Sequence, residues 1–365
     1  DSAQLEATAA LLPLQTISDD TVAVIGSDAG VSLLDVFAVV RAHVTATTAT
    51  GGIPSGVDLV SDGRTSYLAV ADGPNGVALY RMADAGAESE PLVRLPSSQA
   101  VRSVLAPGDP DRLFIADGRA GLRAYALHRS GDGDGAMSPA PVLEFPTDGT
   151  LRDLALERRS IAGEERLYAY LANGDGGFVV ADVSEPTVVR QVGSIVLGDA
   201  RSVLASPELR EITGDASVMV TDSERGVLIV DTSDPALPVI VREIGLPGAR
   251  QLGLFESAAG RLVIALGDGG IYLLDPRRNF GVKGFYPTRF GEEFAITESL
   301  LVVAEGFRGV TTVDLSDPEN PVAVGSSDLD YATGVLARGA TVYAVDNEAL
   351  HVLELQIPDW VRVRR

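Results

Sequence analysis

The residues whose types could do chemistry are four arginines, each at the start of a short apolar run. They are Arg102, Arg152, Arg201 and Arg250. Guanidinium groups bind carboxylates and phosphates through paired hydrogen bonds. If repeated elements carry these arginines around one axis, the four side chains form a ring that attracts an anion. The alternative is a structural role, in which each arginine pairs with an acidic turn of the neighbouring element.

Two acidic positions complete this candidate ligand site. Glu292 stands where earlier elements have the arginine, and Asp58 lies beside the corresponding position of the second element. Glu292 and Glu293 could also form an acid/base pair with Asp58 or Asp153. Neighbouring residues on a strand point in opposite directions, so only one of the two glutamates can face a shared channel. A structural pair is the alternative reading.

Other catalytic and metal chemistry has little support in the sequence. The chain has no cysteine, which excludes disulfides, zinc–thiolate sites and cysteine nucleophiles. No two of its three histidines, His43, His128 and His351, have the spacing of a metal site. The insertion at 130–135 contains Asp132-Gly133-Asp134, which hints at a calcium loop but lacks the full ligand run. The sequence therefore predicts no catalytic residue, no metal and no cofactor, and favours a solvated insertion at 130–135.

The elements that position these residues are copies of one pattern: a glycine, an apolar run, an aspartate and a turn. The closest copies are residues 177–186, 226–235 and 309–318. Looser copies bring the starting positions to eight: 30, 76, 121, 177, 226, 270, 309 and 349. Their spacings of 39 to 56 residues are typical of a four-stranded propeller blade.

The apolar runs predict the kind of sheet. Residues 217–222 and 226–231 are examples of runs that do not alternate with polar residues, as expected for strands covered on both faces. Further apolar runs before and after each such pair give four strands per repeat. We therefore predict an all-β fold, a single β-propeller of four-stranded antiparallel blades, with eight blades and with seven as the alternative count.

The predicted boundaries treat residues 1–365 as one propeller domain. The blades are expected at approximately 8–46, 55–96, 99–146, 150–197, 199–245, 248–287, 291–326 and 331–365. In such a ring the innermost strands line a central channel, so the arginines would gather at one mouth of it.

Three turns share the order aspartate, any residue, serine, acid, proline; they begin at Asp182, Asp231 and Asp314. The aspartate and serine side chains are expected to bond to nearby backbone N–H groups. With the runs before them, as in residues 228–235 and 313–318, these turns resemble the LVIVD repeat family of bacterial and archaeal β-propellers. The resemblance implies a propeller, often on an exported or cell-surface protein, and it implies no reaction.

The composition limits the partners. The net charge is −22, and Lys283 is the one lysine of the 365 residues. Such an acidic surface argues against nucleic acid and anionic membranes as partners, and no apolar stretch is long enough for a membrane-spanning helix. The chain begins at Asp1 rather than methionine, which favours a trimmed N-terminus and an extracytoplasmic location: secreted, periplasmic or cell surface.

The predicted function is a non-enzymatic binding or scaffold module that engages a protein or cell-surface partner through the faces of the ring. Two alternatives remain open. The first is an enzyme or small-molecule binder that holds an anionic ligand at the arginine-lined channel mouth. The second is a structural subunit of a surface assembly.

Overall fold

The structure, a computed structural model, describes residues 15–18, 21–26, 30–35, 40–61, 66–83, 86–87, 90–129, 137–213, 217–288 and 290–356. Three short strands near the start of the chain pair with one another in a separate antiparallel sheet. They are β1 (Gln15–Ser18), β2 (Thr21–Gly26) and β3 (Gly30–Asp35). The next strand is β4 (Arg41–Ala49).

The rest of the described chain forms successive antiparallel sheets, each a blade of the propeller. Blade 1 contains β5 (Gly56–Ser61), β6 (Ser66–Ala71), β7 (Val77–Ala83), β8 (Gly86–Ala87) and β9 (Val93–Leu95). Blade 2 contains β10 (Arg102–Ala106), β11 (Asp109–Ala116), β12 (Leu122–Arg129) and β13 (Met137–Phe145). Blade 3 contains β14 (Asp153–Ile161), β15 (Glu164–Ala172), β16 (Phe178–Asp182) and β17 (Arg190–Ile195).

Blade 4 contains β18 (Ala200–Leu204), helix α1 (Pro207–Thr213), β19 (Ser217–Asp222), β20 (Gly226–Asp231) and β21 (Val239–Ile244). Blade 5 contains β22 (Gln251–Ser257), β23 (Gly260–Gly267), β24 (Gly270–Asp275), a 3₁₀ turn (Pro276–Arg278) and β25 (Gly281–Pro287). Blade 6 contains β26 (Glu293–Thr297), β27 (Leu300–Ala304), β28 (Val310–Asp314) and β29 (Val322–Ser327). Blade 7 contains β30 (Gly334–Arg338), β31 (Thr341–Val345), β32 (Ala349–Gln356) and, as its outer strand, β4.

The blades close into a ring through their first strands. Each first strand contacts the first strand of the next blade, from β5 through β30, and β30 contacts β5 again. The all-β propeller with four-stranded antiparallel blades is therefore confirmed. The ring has seven blades, which was the alternative count, and not the eight that the number of repeats favoured.

The difference in blade number has its cause at the closure of the ring. β4 pairs with β32 in an antiparallel ladder from Ala349 and Ala49 to Gln356 and Arg41. Residues 41–46, assigned from the sequence to a first blade at 8–46, therefore lie in the strand that completes blade 7. Residues 360–365, at the end of the predicted blade at 331–365, lie outside the described residues. The single-domain assignment of residues 1–365 stays a prediction.

The core lies between the blades. Among the described residues it consists of seven apolar clusters, and each joins side chains from two adjacent blades, as Phe114 and Leu122 of blade 2 do with Leu154 and Leu167 of blade 3. The runs that do not alternate are buried along their whole length, because each face of such a strand meets a neighbouring blade. Complete burial of each large apolar side chain contributes about 1.5–3 kcal/mol to stability.

The predicted turn chemistry is confirmed in all three aspartate–serine turns. Asp231 Oδ1 accepts hydrogen bonds from the backbone N and Oγ of Ser233 at 2.8 and 2.5 Å. Asp182 and Asp314 accept the same pair of bonds from the serines two residues later. These side chains therefore fix the turn between the third and fourth strands of their blades.

One face of the ring, which we call the entry face, is the face at which the first strands begin. It is built from the linkers between blades and from the hairpin turns that join second to third strands. A turn and the following linker are tied by isolated bridges: Gly73 to Ala100, Gly118 to Leu151, Gly174 to Ala200 and Gly306 to Ala332. These bridges hold the loops of adjacent blades in one surface.

Candidate functional site

Strand pairing shows that the four arginines do not share one position. Arg102 pairs with Ala116, the last residue of its neighbouring strand, and the equivalent pair in blade 3 is Asp153 with Ala172. Arg152 therefore lies one residue earlier than Arg102 in the blade pattern. Arg201, Arg250 and Glu292 occupy that same earlier position. A one-residue offset reverses the direction of a strand side chain, so Arg102 does not belong to a column with the other three arginines, which share one position.

Arg102 is instead the centre of a cluster with three carboxylates, which we call the channel cluster. Its Nη1 lies 3.0 Å from Asp58 Oδ1 and 3.5 Å from Glu293 Oε1, and its Nε lies 3.5 Å from Asp153 Oδ1. The four residues come from blades 2, 1, 6 and 3. Blades 2 and 6 are separated by two blades on the shorter way round the ring, so the contact with Glu293 crosses the central channel.

Each carboxylate of the channel cluster also binds the next blade. Asp58 accepts from Ser103 N at 2.8 Å, and Glu293 accepts from Val335 N at 3.1 Å. Asp153 accepts hydrogen bonds from Val203 N at 3.0 Å and from the hydroxyl of Ser202. The first strand of a blade has an open edge toward the channel, where backbone N–H groups need partners. The carboxylates therefore satisfy these groups and link neighbouring blades.

The enclosed position of the cluster changes the proton affinity of its acids. Desolvation raises the pKa of Glu293 to about 8, against the lowering effect of the Arg102 guanidinium. Desolvation also raises the pKa of Asp58, opposed by Arg102 and by the N–H of Ser103. The nearby Asp58 carboxylate is the main cause of a raised pKa for Arg102. Three acidic side chains face one guanidinium, so the cluster does not present a free positive charge to an anion.

The remaining arginines have partners at the rim of the entry face. Arg152 Nε lies 3.1 Å from Asp199 Oδ1, and Arg201 Nη2 lies 2.7 Å from Asp199 Oδ2. Arg250 Nη2 donates to the carbonyl oxygen of Gly291 at 2.7 Å. Asp199 belongs to a linker between blades. Its ion pairs with Arg152 and Arg201 are of the structural kind that the sequence analysis gave as the alternative to anion binding. The anion-binding role of these residues stays a prediction, and the ion pairs compete with it.

The predicted acid/base arrangement separates into two environments. Glu293 faces the channel cluster, while Glu292 is exposed on the entry face and accepts from the hydroxyl of Tyr331 at 3.3 Å. Asp58 and Asp153 both lie in the channel cluster with Glu293. The channel cluster thus contains Arg102 and Asp58 of the predicted ligand site, together with Glu293 and Asp153 of the predicted acid/base pair. Glu292 lies apart from this cluster.

A second feature of the entry face is a group of three aromatic side chains, which we call the aromatic patch. Phe307 packs against Tyr331 in an edge-to-face arrangement, with ring centroids 4.5 Å apart. Phe307 is 77% exposed, and Phe290 on the preceding linker is 50% exposed. Sequence reasoning did not select either phenylalanine. The available signal was Phe307 itself, because the matching position of other hairpin turns holds residues such as Arg119 and Asp175.

The described residues offer no metal centre. Among them, no group of three or more His, Asp or Glu side chains is placed to hold a metal ion. Asp132 and Asp134 lie outside the described ranges, so the solvated insertion favoured at 130–135 stays a prediction. Within those same ranges, no helix combines the length and the apolar character that crossing a bilayer requires.

Comparison with known families finds matches in two blades of this propeller. The family model for the LVIVD repeat matches residues 166–196 and 218–244, which lie in blades 3 and 4. The chain therefore contains two LVIVD repeats on a propeller fold, as its resemblance to the LVIVD-repeat propellers predicted.

One solved structure illustrates the fold. The chain is similar to the β-propeller domain of Cps50 (Swd1) from Myceliophteria thermophila, with a TM-score of 0.61 and 11% identity, over 86% of this chain and 99% of the other. At this identity the likeness shows the fold alone. No curated protein sequence matches the chain.

Proposed function

We propose that this protein is a non-enzymatic binding module that engages a protein or cell-surface partner through its entry face. The observation that carries the proposal is the aromatic patch, with Phe307 and Phe290 at 77% and 50% exposure in a chain that is only 5% aromatic. Exposed apolar patches mark interaction sites, and aromatic residues are enriched at the centres of protein interfaces.

The construction of the entry face supports this role. Gly306 and Ala332 exchange two backbone hydrogen bonds of 3.0 Å, so the turn that carries Phe307 is tied to the linker that carries Tyr331. A surface whose loops are already ordered loses little conformational freedom when a partner binds. The patch is therefore suited to bind a partner without rearrangement.

The channel cluster supports a role without catalysis. Asp58, Asp153 and Glu293 each accept a backbone hydrogen bond from the adjacent blade and face Arg102. A general acid or base must reach the proton of a substrate, whereas these groups are engaged in holding the ring together.

The proposal includes an extracytoplasmic location, for which the LVIVD repeats are the support and fractionation of the native cells is the test.

The experiment is photo-crosslinking from defined positions of the ring in the cells that produce the protein. A photoreactive phenylalanine analogue replaces Phe307 in one variant and Val241 in a second. Val241 is the matched control, since it is 56% exposed on the outer strand of blade 4, away from the entry face.

We expect a discrete adduct with another protein from position 307 and none from position 241. Equal labelling from both positions, or none from 307, would refute an entry-face binding role. Adducts between copies of this chain would instead favour a structural subunit of an assembly.

A further inference from the structure

We infer that the partner presents a cationic segment, with arginine or lysine side chains, to the aromatic patch. This inference rests on the proposed binding function and adds the chemistry of the partner. It follows from the carboxylates that surround Phe290, Phe307 and Tyr331 on the entry face of blades 5 to 7.

The aromatic patch occupies one continuous stretch of the entry face. Thr288 N donates to Gly269 O at 3.0 Å, which joins the linker before Phe290 to the hairpin turn of blade 5. The Tyr331 hydroxyl reaches Glu292 at the start of blade 6, and its ring contacts Phe307 in the turn of the same blade. Linker, turn and next linker therefore form one surface.

Exposed carboxylates surround this stretch. They belong to Asp268 in the turn of blade 5, Glu292, and Asp328 and Asp330 in the linker that carries Tyr331. Arg308 is the exposed cation of the intervening turn. Among the described residues, four carboxylates thus stand against Arg308 and the neighbouring Arg250, whose guanidinium already donates to a backbone carbonyl; Arg289, next to Phe290 in the sequence, lies outside the described ranges.

The pKa of Tyr331 reflects the negative charge of one of these carboxylates. The carboxylate of Glu292 is the first cause of a raised pKa for Tyr331, because a second negative charge beside it is unfavourable. The same negative charge favours a cation close to the ring. Guanidinium and ammonium groups also bind over the faces of phenylalanine and tyrosine rings, so the patch offers two kinds of attraction to one ligand type.

The other half of the entry face lacks this combination. Around blades 2 to 4, Arg152 and Arg201 share the carboxylate of Asp199, and the turn of blade 2 presents Arg119. A cationic segment is therefore directed to the side of blades 5 to 7. The overall charge of −22 attracts cationic partners over longer distances and disfavours anionic lipid or nucleic acid on the patch.

The test uses a fluorescein-labelled heptapeptide of alternating glycine and arginine, and a matched peptide in which citrulline replaces arginine. Binding to the full chain is measured by fluorescence anisotropy at 150 mM salt, where weak long-range attraction is screened at about 8 Å. We expect the citrulline peptide to bind at least about fivefold more weakly, and Phe307→Ser to weaken arginine-peptide binding about three- to fivefold.

Two double variants separate the patch from bulk charge. Asp328→Asn with Asp330→Asn removes two carboxylates beside the patch, and Asp148→Asn with Asp175→Asn removes two on the other half of the entry face. The net charge changes equally, yet only the first pair should weaken binding. Equal weakening of arginine-peptide binding by both pairs would overturn the inference. So would arginine-peptide binding that Phe307→Ser leaves unchanged. A crosslinked partner at position 307 that lacks a basic segment would also overturn it, while leaving the proposed function intact.

Discussion

Replacing Glu293 by glutamine should change how the stability of the ring depends on pH. Glu293 lies in the channel cluster, where its side chain is 18% exposed and its pKa is raised from 4.5 to about 8, chiefly by desolvation. Glutamine keeps the size of the side chain and an oxygen that can accept the hydrogen bond from Val335 N. It removes the proton that the native carboxyl holds near neutral pH.

The magnitude follows from proton linkage. Between pH 4.5 and about 8 the unfolded chain has lost the Glu293 proton while the folded chain retains it. The raised pKa therefore contributes stability that is fully present below pH 4.5 and is lost as the pH rises toward 8. The slope is about 1.4 kcal/mol per pH unit, so the wild type should lose about 4 kcal/mol between pH 5 and 8 from this group.

The assay is thermal unfolding at pH 5 and pH 8 for the wild type, Glu293→Gln and Glu292→Gln. With an unfolding entropy of about 2.1 cal/mol/K per residue, 4 kcal/mol corresponds to a shift in Tm of about 5 °C for this chain. As the pH rises from 5 to 8, the Tm of Glu293→Gln should fall by about 5 °C less than the Tm of the wild type. This difference should hold even if the substitution also changes Tm by the same amount at both pH values.

Glu292→Gln is the matched control, because Glu292 is the adjacent residue and is exposed on the entry face. It should follow the wild-type dependence on pH. If Glu293→Gln also follows it, Glu293 is ionised at pH 8 and pH 5 alike, and the reasoning about the channel cluster is wrong.

Arg102→Met should destabilise the ring by about 3–5 kcal/mol at pH 8, because it leaves three carboxyl side chains that are only 10–18% exposed without their counter-charge, and by less at pH 5, where Glu293 holds a proton. Arg152→Met, which breaks an ion pair with the single carboxylate of Asp199 at the rim, should cost no more than about 1 kcal/mol in the same urea titrations; equal losses would contradict the central position of Arg102. Gly325→Ala should lower Tm by several degrees, because a Cβ there would overlap the carbonyl oxygen of Val40, next to the strand that closes the ring. Gly245→Ala, where a Cβ meets no atom within 4 Å, is its control and should leave Tm within about 1 °C.

Much of the fold could be predicted because the physical cause of each feature is local. A run such as Val227–Val230 is apolar throughout since both of its faces are buried, and the Asp231 turn forms from its own side-chain bonds. The blade count could not be settled in this way. Residues 30–35 have the same pattern as the later repeats but pair in a separate sheet, and the partner of β32 lies some 300 residues earlier in the chain.

The candidate site was harder to predict because it depends on register. Arg102 and Arg152 look equivalent when repeats are aligned by eye, yet the lengths of their hairpins differ and the ladder shifts them by one residue. A shift of one residue exchanges the side chains that face the channel. Arginine and carboxylate residues near the channel could be selected from the sequence, but the contact of Arg102 with carboxylates rather than with other arginines could not be predicted from it.

The closure of the ring determines how the molecule would fail under mechanical load. Arg41 and Gln356 are paired at the same end of the ladder between β4 and β32. A force that pulls the chain apart at these two points would break the cross-strand hydrogen bonds one after another, like a zipper, instead of shearing them together. The detached strand would leave β32 with a free edge, and the corresponding strand of a second molecule could occupy it by domain swapping.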